Sequence, residues 1–316
     1  MGILFWILGA AAGVALLLLV IVVYCFFKCF YMPPRKEIGA DEYPIPPGKV
    51  YEPFRERMIK WMQEMRTTPH EDVWITSFDG LKLHANYYEC RKGAPTEIMF
   101  HGYRGSAERD LCGGLARCFL IGRNVIIVDQ RCAGKSEGSV ITFGINEHKD
   151  CLAWIDYAVK RFGDEQQLIL SGVSMGAATV MMASGYKLPK NVVHTIADCG
   201  YTSPKEIIKK VIRDMHLPAD ALYPFVKLAA RWLGHFDLEE FSPLEAMKKS
   251  TVPVIFYHGD TDDFVPWEMT EELYTACTSK KEFITIEGAG HGLAFPQDKE
   301  KYLTTLAEFS AELGVE

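Results

Sequence analysis

Residues 168–184 read Leu-Ile-Leu-Ser-Gly-Val-Ser-Met-Gly-Ala-Ala-Thr-Val-Met-Met-Ala-Ser. A short apolar run at 168–170 leads directly into Gly172-Val173-Ser174-Met175-Gly176, and a helix-forming stretch follows from Ala177. A G-x-S-x-G pattern between a strand and a helix predicts a tight, strained turn with the serine at its tip. Glycines on either side let neighbouring backbones approach closely. The turn lifts the hydroxyl clear of the sheet and sets a backbone N–H at the positive end of the new helix. The strand before and the helix after separate this pattern from an ordinary glycine turn.

Outward from the turn, the chain alternates between the two periodicities. Apolar β runs occur at 98–100, 125–128, 192–196, 254–257 and 283–286, with helical stretches between them, as at 147–161 and 177–186. Such alternation implies a mainly parallel sheet covered on both faces, with ligands beyond the carboxyl ends of its strands. Upstream, Met58, Trp61, Met62 and Met65 recur at helical spacing within 53–65. Strands at 73–78 and 81–88 flank Asp79-Gly80, a hairpin signal. The interval 199–251 separates two successive strands and reads as helical. Ser203-Pro204-Lys205-Glu206 is a capping box, with Ile207, Ile208, Val211, Ile212 and Met215 behind it. A second helix is expected over 218–233, ended by Gly234, and Ser242-Pro243-Leu244-Glu245 repeats the box. This insertion is expected to form a helical cap over the site, offering Leu217, Leu222, Tyr223, Phe225, Leu228, Trp232 and Phe236 as apolar lining.

A serine hydroxyl is a weak nucleophile and needs a base oriented by a carboxylate. His291 lies in Gly288-Ala289-Gly290-His291-Gly292 just after the last strand, in a loop of small residues able to carry an imidazole back over the strand ends. His258 ends a strand and is expected to orient the turn beside it. The acid belongs in His258-Gly259-Asp260-Thr261-Asp262-Asp263-Phe264-Val265-Pro266, where spacing alone leaves Asp260, Asp262 and Asp263 open.

This last stretch resembles the H-G-x-x-D-x-x-V-P signature of the α/β-hydrolase superfamily, and the resemblance assigns the acid to Asp262. His101-Gly102-Tyr103-Arg104-Gly105 is similar to the family's H-G-x-x-G loop. The likeness implies an oxyanion hole built from the backbone N–H groups of Tyr103 and Met175, and a structural role for the His101 side chain. Asp129-Gln130-Arg131-Cys132-Ala133-Gly134-Lys135-Ser136 resembles the family's D-x-R-x-H-G-x-S loop, departing from it at Ala133, where histidine is usual. The resemblance runs over roughly residues 70 to 312. It points to the serine-aminopeptidase-like and prolyl-oligopeptidase-like branch, which includes membrane-anchored bacterial hydrolases. Ile141-Thr142-Phe143-Gly144, with Glu147 and Asp150 beyond it, agrees. The two acids are read as charges at a helix N-terminus. The implied fold is a mainly parallel eight-stranded sheet flanked by helices.

The chain has 316 residues and 48% hydrophobic content, enough after the first fifty for one large domain with a full core. A net charge of −7 without any basic run leaves no electrostatic footprint for nucleic acid. Nine cysteines without a C-x-x-C pair suggest free thiols rather than disulfides or zinc. The chemistry calls for no metal or organic cofactor. Residues 3–27 carry no charge and can cross a ~30 Å hydrocarbon layer as a helix. Three segments are therefore expected: an anchor at 1–31, a linker at 32–52 stiffened by Pro33, Pro34, Pro44, Pro46 and Pro47, and a hydrolase domain at 53–316. Lys28, Arg35 and Lys36 after the span place the domain in the cytoplasm by the positive-inside rule. The expected activity is hydrolysis of short, medium or aromatic acyl esters through an acyl-enzyme on Ser174. Two alternatives stand beside it: a short-peptide aminopeptidase with Glu239 and Glu240 binding the substrate amine, and a non-catalytic membrane-tethered binding protein.

Overall fold

Eight strands form one sheet in the order β1-β2-β4-β3-β5-β6-β7-β8. They are β1 (Glu71–Thr76), β2 (Lys82–Tyr88), β3 (Thr96–Phe100), β4 (Asn124–Asp129), β5 (Leu168–Val173), β6 (Val192–Asp198), β7 (Val254–Gly259) and β8 (Lys281–Ile286). The structure, a computed structural model, describes residues 2–33 and 38–315. Pro34, Arg35 and Lys36, invoked above for the linker and for orientation, lie outside the described residues.

The β1–β2 hairpin is antiparallel and β2 runs antiparallel to β4. Every pairing from β4–β3 to β7–β8 is parallel. Every residue of β3, β4 and β7 is buried, which explains why these strands read as continuous apolar runs. Eleven α-helices are found among the described residues: α1 (Gly2–Cys29), α2 (Arg55–Thr67), α3 (Ala107–Leu120), α4 (Glu147–Phe162), α5 (Met175–Ser184), α6 (Pro204–Asp214), α7 (Ala219–Trp232), α8 (Pro243–Met247), α9 (Trp267–Ala276), α10 (Ala294–Gln297) and α11 (Lys299–Ala311). One face of the sheet packs Met99, Val125, Ile127, Ile169, Ile196 and Tyr257 against α2, α3, α10 and α11. The other packs Leu168, Leu170, Ala197 and Phe256 against α4, α5, α8 and α9.

The insertion between β6 and β7 carries the local signals expected of it. Ser203 Oγ accepts from the Glu206 N–H at 3.1 Å, and Ser242 Oγ from the Glu245 N–H at 3.2 Å, with a proline in the first turn of each helix. Its apolar face lies against the N-terminal helix. Ile207, Ile208, Ile212, Tyr223, Val226, Ala229, Ala230 and Phe236 share one cluster with Val22, Cys25, Phe30 and Met32. Phe30 meets Phe236 edge-to-face at 5.2 Å and Phe143 at 6.0 Å.

Helix α1 is long and apolar enough to cross a membrane, with an 18-residue window of mean hydropathy 2.8. That property is shared by membrane anchors and signal sequences. Residues 2–20 are exposed, whereas Val22 and Cys25 in the last turns are buried.

Candidate active site

Ser174 sits between β5 and α5 at φ 57° and ψ −116°, a left-handed conformation costly for a residue with a side chain. Its neighbours must be glycine. A Cβ on Gly172 would lie 2.1 Å from the Gly176 carbonyl, and one on Gly176 would lie 2.0 Å from the Phe100 oxygen. The Ser174 N–H donates to the Asp198 carbonyl at 2.8 Å, which ties the turn to the end of β6.

Asp262 follows β7 and is fully engaged. Its Oδ1 accepts from the N–H groups of Phe264 and Val265, both at 2.9 Å. Its Oδ2 accepts from His291 Nδ1 at 2.7 Å and lies 3.2 Å from His258 Nε2. Burial opposes ionisation here, but the hydrogen bonds from His258 and His291 win, and the carboxyl is held well below its usual range. His258 also donates to the Val265 carbonyl at 2.9 Å and pairs with Thr270 Oγ1 at 2.7 Å, fixing the turn around the acid. The other two aspartates do different work. Asp260 Oδ1 accepts from the Gly288 N–H at 2.7 Å, holding the base of the His291 loop, and Asp263 is exposed at the cavity wall.

The structure thus brings His291 and Asp262 into a hydrogen bond and sets Ser174 and His291 on the wall of one cavity of about 650 Å³. A Cβ on Gly292 would lie 3.4 Å from Val173 Cγ2, so the imidazole loop abuts the residue before the serine. Among the described residues no hydrogen bond joins Ser174 to His291 directly, a contact that commonly tightens only when substrate is bound. Cys199 Sγ lies with an Asp262 oxygen and a His291 nitrogen, all within 4.8 Å of one another. Burial pushes this thiol well above its usual range.

Met175 opens α5, whose first amides have no intrahelical acceptor. Tyr103 sits in a loop gripped from two sides. From α3, Asp110 Oδ2 accepts from the Gly102 N–H at 3.0 Å, with Asp110 in turn held by Arg109 Nε at 2.6 Å. A Cβ on Gly105 would lie 1.8 Å from that carboxylate, so only glycine fits. From α1, the Tyr103 hydroxyl donates to the Cys29 carbonyl at 2.7 Å, and the Arg104 guanidinium to those of Tyr31 and Lys28 at 2.9 and 3.1 Å. His101 Nε2 accepts from the Gln130 N–H at 3.2 Å, a structural role.

Three expectations are corrected. First, no residue of 199–251 lines the cavity, so Leu217, Leu222, Tyr223, Phe225, Leu228, Trp232 and Phe236 do not form its wall; their helices are spent on α1. The linker takes that place: Pro46, Pro47, Gly48, Lys49, Val50 and Tyr51 line the cavity, and the Tyr51 hydroxyl donates to the His291 carbonyl at 2.9 Å. Second, Glu239 is bound by Lys227 and Tyr223, and Glu240 by Lys149, all away from the cavity, so neither receives a substrate amine. Third, Glu147 and Asp150 do stand in the first turn of α4 as expected, but they are not there as solvent-facing charges alone. Both are buried: Glu147 accepts from the N–H groups of Thr142 and Gly144 at 2.8 Å, and Asp150 clamps the Arg131 guanidinium at 2.7 and 2.8 Å. Ala133, where the loop departs from the family pattern, is buried and does not line the cavity.

A model of the prolyl oligopeptidase family matches residues 142–314, more than half of the chain. The chain is 30% identical over 191 residues to the uncharacterized protein YqkD of Bacillus subtilis, a match spanning 60% of this chain and 62%, under two thirds, of that protein. The fold is similar to that of the Pyrococcus furiosus esterase Pf2001, with a TM-score of 0.65 at 22% identity, covering 87% of this chain and 99% of that one. It is also similar to a Mycobacterium tuberculosis puromycin-hydrolyzing peptidase, with a TM-score of 0.61 at 18% identity, covering 79% of this chain and 40% of that one. At such identities the likeness speaks to the fold, which is the α/β-hydrolase fold. Because an esterase and a peptidase share it, it does not divide ester from amide cleavage.

Proposed function

We propose, from the premise that the chain belongs to the prolyl oligopeptidase family, that it is a serine hydrolase cleaving carboxylic esters through an acyl-enzyme on Ser174. The observation that carries this reading is the strained Ser174 turn on the same cavity wall as His291, whose Nδ1 is already committed to Asp262. In the reaction Ser174 Oγ attacks the ester carbonyl while His291 Nε2 takes its proton. Asp262 holds the imidazole in the required tautomer and stabilises the cation that forms. The N–H groups of Tyr103 and Met175 receive the negative oxygen of the tetrahedral intermediate, His291 returns its proton to the departing alcohol, and water then releases the acid.

Val50, Met58, Trp61, Met99, Leu293 and Phe295 on the cavity wall favour short, medium or aromatic acyl groups. A fluorophosphonate probe tests the assignment. Labelling that maps to Ser174, together with turnover of p-nitrophenyl butyrate, is expected; an unlabelled Ser174 overturns the enzyme reading and leaves a binding protein.

The same proposal places the chain on a membrane through α1. The burial of Val22, Cys25 and Phe30 within the fold supports a retained anchor, because cleavage after the apolar run would strip Phe30 from between Phe143 and Phe236. Sequencing the amino terminus of the mature protein tests this, and a start beyond residue 30 refutes it. Lys28 supports a cytoplasmic domain. Labelling of the half-buried Cys90 by a membrane-impermeant maleimide on intact cells would overturn that orientation.

A further inference from the structure

One carboxylate at the site has nothing to do in the chemistry above. Asp198 ends β6 opposite Val173 of β5, with its side chain on the face that carries α3, α10 and α11. It lines the cavity, and its Oδ1 is enclosed without a hydrogen-bond partner. Of the other acids around it, Asp262 is committed to two histidines and two amides, Asp110 to Gly102 and Arg109, and Asp260 to Gly288, while Asp263 is exposed to solvent on the cavity wall and so carries no burial cost.

Asp198 is half-buried and open to the cavity, but a carboxylate oxygen enclosed without a partner is costly to keep charged. It must take up a proton or meet a cation. Burial pushes the Asp198 carboxyl up to about 7, with His258, His291 and Arg117 opposing and Asp262 reinforcing the rise. The group therefore stands ready to ionise when a positive charge arrives. Arg117 cannot be that charge, because both of its terminal nitrogens are bound to Glu97. The surrounding wall suits a small organic cation, since Trp61 and Phe295 bring aromatic rings to the same cavity.

We propose that Asp198 is the receptor for a substrate ammonium group, so that the acyl group delivered to Ser174 carries a positively charged amine. The substrate class is then the aminoacyl esters, with aminoacyl amides as the peptide counterpart. This deepens the serine-hydrolase reading and rests on it for the hydrolytic step, although the binding step stands by itself. It also relocates the amine receptor from Glu239 and Glu240 to a residue that faces the cavity.

The test uses the full-length chain in detergent micelles at pH 7, where an aminoacyl ester still carries a substantial protonated fraction. Hydrolysis of phenylalanine methyl ester is compared with that of 3-phenylpropionic acid methyl ester, which lacks only the amine. Binding of 2-phenylethylammonium is compared with that of 2-phenylethanol by calorimetry. The amine-bearing member of each pair is expected to be favoured by about ten- to a hundredfold, the worth of one hydrogen bond to a charged group. In Asp198→Asn both ratios are expected to fall towards one. Equal binding of amine and alcohol to the wild-type protein overturns the proposal, as does a preference that survives in folded Asp198→Asn. Should that variant fail to fold, the wild-type binding comparison decides alone. Absence of fluorophosphonate labelling with tight ammonium binding would sink the hydrolase reading while sustaining the ammonium site.

Discussion

The insertion at 199–251 and the linker segment at 46–51 exchange the roles that their sequences advertise. The insertion has two capping boxes and a strongly amphipathic first helix, the makings of a lid, yet it lines no part of the cavity and packs on α1. The linker has prolines, a glycine and no apolar periodicity, the makings of a tether, yet it forms one wall of the cavity and bonds the carbonyl of His291. An amphipathic pattern states that a face will be buried; it does not state against what. A proline-rich stretch states that no helix will form, and a stiff extended chain is well suited to lie across a cleft.

The largest expected effect lies at the proposed nucleophile, on the cavity that the linker lines and the insertion does not. Ser174→Ala is expected to reduce turnover by about 10⁴–10⁶-fold with an unchanged melting temperature. A melting temperature that fell with the rate would mean that the turn, and not the hydroxyl, had been removed. In the insertion the expectation is inverted. Phe236→Ala should cost about 3–5 kcal/mol of stability by leaving a void against Phe30, while the rate per folded molecule stays within a few-fold. A large loss of rate in the folded fraction would restore the insertion as a cover for the site.

The pH dependence of stability sharpens the contrast further. Asp262 has a folded pKa below its unfolded value, so the stability it contributes is present above about pH 4 and is lost as the pH falls below that. The loss should amount to about 2–3 kcal/mol in acid denaturation curves, and Asp262→Asn should flatten that part of the curve. Glu239→Gln in the insertion should leave it within error, because its ion pair with Lys227 is partly exposed and screened. The smallest effect belongs to the linker. Tyr51→Phe removes one hydrogen bond to the His291 carbonyl and should lower kcat about three- to tenfold, in line with about 1 kcal/mol. A rate equal to the wild type's would reduce the linker to a passive wall.

The strands and the turn around residue 174 were legible because their signals are short-range. Apolar runs, flanking glycines and capping boxes act within a few residues, and they recur where the sequence places them. Asp262 and His291 were legible because each lies just past a strand end in a recognisable loop. Tyr51 was not, since it reaches His291 across 240 residues of sequence and its own segment has no periodicity to signal burial. Asp110 carried no signal in the sequence: it is a first-turn acid of α3, and only the closeness of Gly102 and Gly105 gives it a purpose. Asp198 ends an apolar strand, where an acid normally marks the exit to solvent. Its enclosure comes from helices contributed by distant parts of the chain. The first-turn positions of Glu147 and Asp150 were legible, but their partners Thr142, Gly144 and Arg131 could be assigned only in three dimensions.

The grip of Tyr103 and Arg104 on the last carbonyls of α1 makes shortening the chain for solubility a chemical intervention. Removing everything through Tyr31 deletes the acceptors at Lys28, Cys29 and Tyr31, and the Tyr103–Arg104 loop, whose backbone is proposed to cradle the tetrahedral oxygen, loses its hold on that side. Rates measured on such a trimmed protein would describe a loosened version of the proposed catalyst, because the end of the apolar helix is built into the support of the site.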